Sequence, residues 1–180
     1  MRRLVLRAVP ALVAIGLILL APGCRRRKAA QVETVEEEST ELVSLVHTSD
    51  PRAAVQLLKG FHEVEQNAWR WTKSQFSVTL KTPPDAKTRG ATLELRMTLP
   101  DPVISHVKTT TLSATVNGTA LKPETYSTTG EHIYTRAIPA TALQSEAVTL
   151  EFSFDKYLAA GQVELRELAA IVSSVGLQTQ

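Results

Sequence analysis

Cysteine occurs once in the 180 residues, at Cys24. A single thiol excludes an intrachain disulfide framework and a thiolate zinc site. The stability of the chain must therefore come from packing, which the roughly 140 residues after the N-terminal region are long enough to supply. Catalytic signatures are missing too. There is no Gly-x-Ser-x-Gly elbow, no phosphate-binding glycine loop and no Asx-rich calcium loop. His47, His62, His106 and His132 are scattered, with no pair at metal-ligand spacing. His62-Glu63 opens like the zinc-protease helix motif, but Gln66 stands where the second histidine is required. Acidic residues stand mostly singly, as solvent-facing residues of strands do. We expect no enzymatic activity, no catalytic residue, no cofactor and no metal.

An excess of charge of one sign is missing from the body of the chain. The formal balance is +2, but residues 1–28 hold seven basic side chains and no acid. Glu33, Glu36, Glu37, Glu38 and Glu41 follow in a short acidic segment, and residues 42–180 carry 13 basic against 13 acidic groups. A neutral domain with dispersed charge has no electrostatic footprint for nucleic acid, which excludes that partner.

What is present begins with Arg2, Arg3 and Arg7 before the apolar run Ala8–Ala21, closed by Ala21-Pro22-Gly23-Cys24. A basic start, a short hydrophobic core and small residues at the end make a secretory signal. Its last four residues resemble a bacterial lipobox, which places a lipid on Cys24. An uncleaved anchor is the alternative. At 1.5 Å per residue, Ala8–Gly23 covers only some 24 Å of a roughly 30 Å hydrocarbon core. Ala21 replaces the usual leucine, and the basic run Arg25-Arg26-Arg27-Lys28 opposes translocation. The chain thus reads as a signal over 1–23, a charged flexible tether over 24–41 and a folded domain over 42–180. The expected location is the cell envelope, membrane-anchored and facing the periplasm or exterior.

Asp50-Pro51 opens a helix expected over about 51–59, with Gly60 just past its end. Beyond it the period changes to two. Phe76, Val78 and Leu80 alternate with polar residues, as do Leu93, Leu95, Met97 and Leu99, and later Val148, Leu150, Phe152 and Phe154. Leu112–Val116 and Thr119–Leu121 flank Asn117-Gly118, the signature of a tight hairpin turn. Further strands are expected over 42–46, 132–138 and 169–177. Prolines Pro83, Pro84, Pro100, Pro102, Pro123 and Pro139 fall between runs, where strands must stop. The fold class is all-β, an antiparallel jelly-roll-like sandwich of seven to nine strands with one short helix and an N-terminal signal or anchor helix.

Two of the nine aromatics form Trp69-Arg70-Trp71. On a strand the two indoles share a face, with Arg70 opposite. They either fill the interior or form a platform that stacks on sugar rings, with Arg70 or Glu65 hydrogen-bonding hydroxyls. Trp69, Arg70, Trp71 and Glu65 are the candidate ligand-binding residues. Gly60-Phe61, Glu65, Trp69-Arg70-Trp71-Thr72, Val116-Asn117-Gly118 and Arg166-Glu167-Leu168 together resemble a group of bacterial β-sandwich domains found in envelope- and glycosyltransferase-associated proteins, similar in outline to carbohydrate-binding jelly rolls. The resemblance covers about residues 42–178. It implies that the Gly…Glu…Arg-Trp run and the Arg-Glu-Leu segment hold the sandwich together, and it supplies neither catalytic residue nor ligand. Two functions follow: an accessory lipoprotein that docks on an envelope protein, or a module that binds envelope or extracellular polysaccharide.

Overall fold

The computed structural model describes residues 41–180. The expected signal, Cys24 and most of the tether lie outside them. The described chain forms ten strands: β1 (Leu45–His47), β2 (Leu57–Glu65), β3 (Trp69–Lys81), β4 (Ala91–Leu99), β5 (Thr110–Val116), β6 (Thr119–Ala120), β7 (Glu124–Tyr126), β8 (Gly130–Ile138), β9 (Ala147–Phe154) and β10 (Ile171–Thr179). The two strands not expected from the alternation are β2, whose first residues fall in the expected helix, and β7, which has only three residues. All pairings are antiparallel, in the order β6-β5-β9-β3-β10-β4-β8, with β2 on β3, β7 on β5 and β1 on β10. The expected all-β antiparallel class holds.

The 13-residue β3 makes the sheet curl on itself. Its first half pairs with β10 at Arg70 and Trp71, and its second half pairs with β9 from Gln75 to Lys81. The chain thereby closes over the inward rows Phe76-Val78-Leu80, Leu93-Leu95-Met97-Leu99, Leu112-Ala114-Val116 and Val148-Leu150-Phe152-Phe154, all buried. Fully burying one such side chain stabilises the fold by about 1.5–3 kcal/mol. A smaller cluster, Val103, Leu158 and Leu168 with Trp71 and Val107 against it, packs at the end where β3 begins.

The helix expected over 51–59 is shorter than the sequence suggests. Asp50 caps it through its carboxylate, which accepts from the Arg52 amide at 2.9 Å, and Pro51 opens it. It is a 3₁₀ turn over Pro51–Val55, and Leu57 is already paired to Val78 in β2. The competing pull is tertiary. Buried Gln56 donates to the Val43 and Thr79 carbonyls and accepts from the Val43 amide, which ties the entering chain to β3. Two short helices also appear at prolines read as strand stops, α1 (Ala86–Arg89) and α2 (Asp101–Val107). Pro102 stands in the first turn of α2, where its missing amide hydrogen costs nothing.

The Asn117-Gly118 turn forms as expected, with φ of 46° and 81°. Asn117 also uses its side chain: Oδ1 accepts from the Thr149 amide at 3.0 Å and Nδ2 donates to the Ala142 carbonyl at 3.3 Å. Asn117→Ala should lower stability by about 1–2 kcal/mol, through the left-handed backbone and the orphaned Thr149 amide. Urea denaturation measures it, and a loss below about 0.3 kcal/mol would contradict the assigned roles.

Candidate functional site

Two regions hold the side chains that matter. The first is the β2–β3 end of the sandwich, where the residues singled out in the sequence come together. Trp69 and Trp71 are partly buried, and Trp71 leans on the Val103, Leu158 and Leu168 cluster. The Trp69 indole nitrogen is buried with no hydrogen-bond partner among the described residues. Arg70 donates from Nε to the Thr48 carbonyl at 2.8 Å and from Nη1 to the His62 carbonyl at 3.0 Å. Glu65 pairs with Arg166 at 2.7 Å, across 101 positions of sequence. Arg166 also binds Glu164 at 2.5 Å, and this bond holds the Glu164 carboxyl below its ordinary pKa.

Further contacts pin the same end. The Glu167 carboxylate accepts from the Ser74 amide at 2.6 Å, and His62 Nε2 donates to the Glu167 carbonyl at 2.7 Å. The two segments that the resemblance marks as braces therefore do touch each other. Between them, a loop closed by the Leu158–Leu168 bridge exposes Val163 at 61% and Leu165 at 92%.

The second region was not foreseen from the sequence. It is a shallow open depression of about 220 Å³ on the outer face of β2, β3, β9 and β5. Lys59, Gln75, Ser113, Thr115, Glu151 and Ser153 line it, with Phe76, Ala114 and Phe152 at its floor. Strand register explains the assembly. Gln75 lies opposite Ser153, and Ser153 opposite Ser113, which makes one polar row across three strands. Ser77, Glu151 and Thr115 make the next row, and Lys59 of β2 stands opposite Ser77. Lys59 Nζ meets Glu151 Oε1 at 3.4 Å, with both side chains about half exposed (57% and 53%). Thr115 Oγ1 donates to Glu151 Oε2 at 3.5 Å. The floor side chains are buried, and more of the accessible lining is carbon than polar atoms. Except Lys59, which falls in the expected helix, each of the polar residues is visible in the sequence as the polar member of an alternating pair. Their neighbourhood is not, because it depends on which strands lie side by side.

Such an array can donate to and accept from a hydroxyl-rich ligand. Its one hydroxyl–carboxylate contact is the long bond of 3.5 Å from Thr115 to Glu151, and it holds a single carboxylate, so no pair of carboxylates flanks a cleft. Among the described residues, no group of three His, Cys, Asp or Glu side chains is placed to hold a metal ion.

No protein-family model and no curated protein matches the sequence. Solved structures do match, at low identity. The chain is similar to part of the family GH115 4-O-methyl-α-glucuronidase BtGH115A, with specificity for decorated arabinogalactans, at 12% identity and a TM-score of 0.50; 78% of this chain is covered and 18% of the glucuronidase. The chain thus spans under a fifth of that enzyme's length. It is also similar to the CBM36-1 domain of a multidomain xylanase from the hindgut metagenome of Trinervitermes trinervoides, at 11% identity and a TM-score of 0.43, covering 76% and 96%. A carbohydrate-binding module CBM36 in complex with calcium and xylotriose is similar at 8% identity and 0.42, covering 76% and 100%. At 12% identity, the likeness to the glucuronidase segment is one of fold and leaves the ligand to the site itself.

Proposed function

We propose that the domain is a non-catalytic glycan-binding module whose ligand lies in the polar depression of β2, β3, β9 and β5. One observation carries this: Gln75, Ser113, Thr115, Glu151 and Ser153 come from three adjacent strands and stand in register on one open face. Sugar hydroxyls are matched by such a set of short donors and acceptors held by rigid strands. The tryptophan end then serves as a brace. Arg70 spends its guanidinium on two carbonyls and Glu65 spends its carboxylate on Arg166, which leaves little of either for a sugar.

Affinity electrophoresis in gels cast with plant or bacterial polysaccharides tests the assignment. Gln75→Ala with Ser153→Ala should abolish retardation, and Trp69→Phe should leave it within twofold. Retardation lost in Trp69→Phe but kept in the double variant would move the site to the tryptophan end.

Docking on a protein partner is favoured by a different observation, the loop that holds Val163 and Leu165 in solvent. Leu165→Asp should then abolish co-purification of a partner while leaving polysaccharide retardation intact. For location, we propose attachment at a cell envelope through lipid on Cys24; mass spectrometry of the mature N-terminus would show the acyl chains or an intact Met1.

A further inference from the structure

Resting on the glycan-binding reading, we propose that the depression takes an internal stretch of a neutral polysaccharide laid across the strands, about one sugar per strand. Three features of the array lead there.

The first is shape. The polar rows run perpendicular to the strands. Ser113, Ser153 and Gln75 repeat at the inter-strand spacing of about 4.8 Å, close to the length of one sugar in an extended chain. The second row runs from Thr115 through Glu151 to Lys59 on β2, across four strands and roughly 14 Å, with Ser77 of β3 buried between Glu151 and Lys59. Along the strands the array is only two rows deep, about 7 Å. A chain of sugars fits across it and not along it. The depression is shallow and open, so nothing in it demands a chain end.

Charge is the second feature. Lys59 and Glu151 are the only charged side chains lining the site, and they face each other at 3.4 Å. Lys59 already has its counter-charge, so a uronate or sulfate finds no spare cation. Glu151 likewise has no spare charge for an amino sugar. Both groups remain hydrogen-bonding partners for hydroxyls.

The third is the missing ring. Phe76 and Phe152 stack on each other at 4.8 Å, and their side chains are buried beneath the floor. No aromatic face is presented among the lining residues, so a sugar is held by its hydroxyls and not by stacking on a ring. Contacts then accumulate with each strand crossed.

The test titrates the full chain, in detergent, with neutral gluco-, xylo- and manno-oligosaccharides of one to six residues. Uronate-containing and glucosamine oligomers of the same lengths run beside them at 20 and 500 mM NaCl, all read by calorimetry. Affinity for one neutral series should rise at least tenfold from the disaccharide to the tetrasaccharide and then level off. It should stay within twofold on raising salt and on blocking the reducing end. Glu151→Gln, which frees Lys59, should gain uronate oligomers about fivefold; Lys59→Gln should gain glucosamine oligomers. Circular dichroism confirms that both variants keep the fold. Full affinity already at the monosaccharide would overturn the inference, and so would preferred binding of a charged series that weakens tenfold in salt. In either case the glycan-binding reading itself stands. Binding of no oligomer by the folded chain would overturn both.

Discussion

Gly60→Ala should destabilise the domain by at least about 3 kcal/mol, the largest loss expected from a methyl group added at any glycine of the described residues. Gly60 has φ of +79°, where an L side chain is strained. The added Cβ would also stand 2.0 Å from the Gln75 carbonyl oxygen and 2.7 Å from the Phe76 Cα. Both obstacles are backbone of β3, so no side chain can swing aside. The pairing of β2 with β3 shifts register across this residue, between Lys59 and Phe61, and again between Leu57 and Lys59 and between Phe61 and Val64. Gly60 is therefore where one strand crosses closely over the other, directly beside the proposed site. For a domain of this size, the loss corresponds to a fall of about 6–12 °C or more in Tm. A change under about 1 kcal/mol would mean that β2 does not lie against β3 in this way.

Phe76→Ala should cost about 3–5 kcal/mol by removing the centre of the aromatic core. Phe76 is wholly buried, stacked on Phe152 at 4.8 Å, near Phe154 at 6.3 Å and edge-on to Phe61 at 5.4 Å. Removing the ring leaves a cavity that three other phenylalanines cannot fill without distorting β2, β3 and β9 together. Phe76→Leu keeps most of the volume and should cost no more than about 1.5 kcal/mol. Urea midpoints of the two variants measure the difference. Equal losses would show that ring packing is not what holds the three strands.

The alternating runs of β3, β4 and β9 and the Asn117-Gly118 turn were legible in the sequence because each is set by local pattern. Gly60 does not end a helix: its positive φ serves a close strand crossing that only the partner strand reveals. Pro102 falls between β4 and β5, as expected of a strand stop, and also sits in the first turn of a helix there. Both are local signals with two meanings, and tertiary contacts decide which of them apply. The polar depression was illegible for a related reason. Ser113, Ser153 and Gln75 are scattered along the chain, and nothing in their spacing marks β5, β9 and β3 as neighbours. Arg70 and Glu65 stand out in the sequence as candidate ligand-binding residues, while their pairing with the Thr48 and His62 carbonyls and with Arg166 does not.

The most direct measurement is the two-dimensional amide NMR spectrum of the isotope-labelled chain during titration with the polysaccharide oligomer that binds best. The account predicts shifts concentrated at Lys59, Gln75, Ser113, Thr115, Glu151 and Ser153, with the signals of Trp69, Trp71 and Leu165 unmoved. Shifts centred on Trp69, Trp71 and the 158–168 loop, with the sheet face silent, would contradict it.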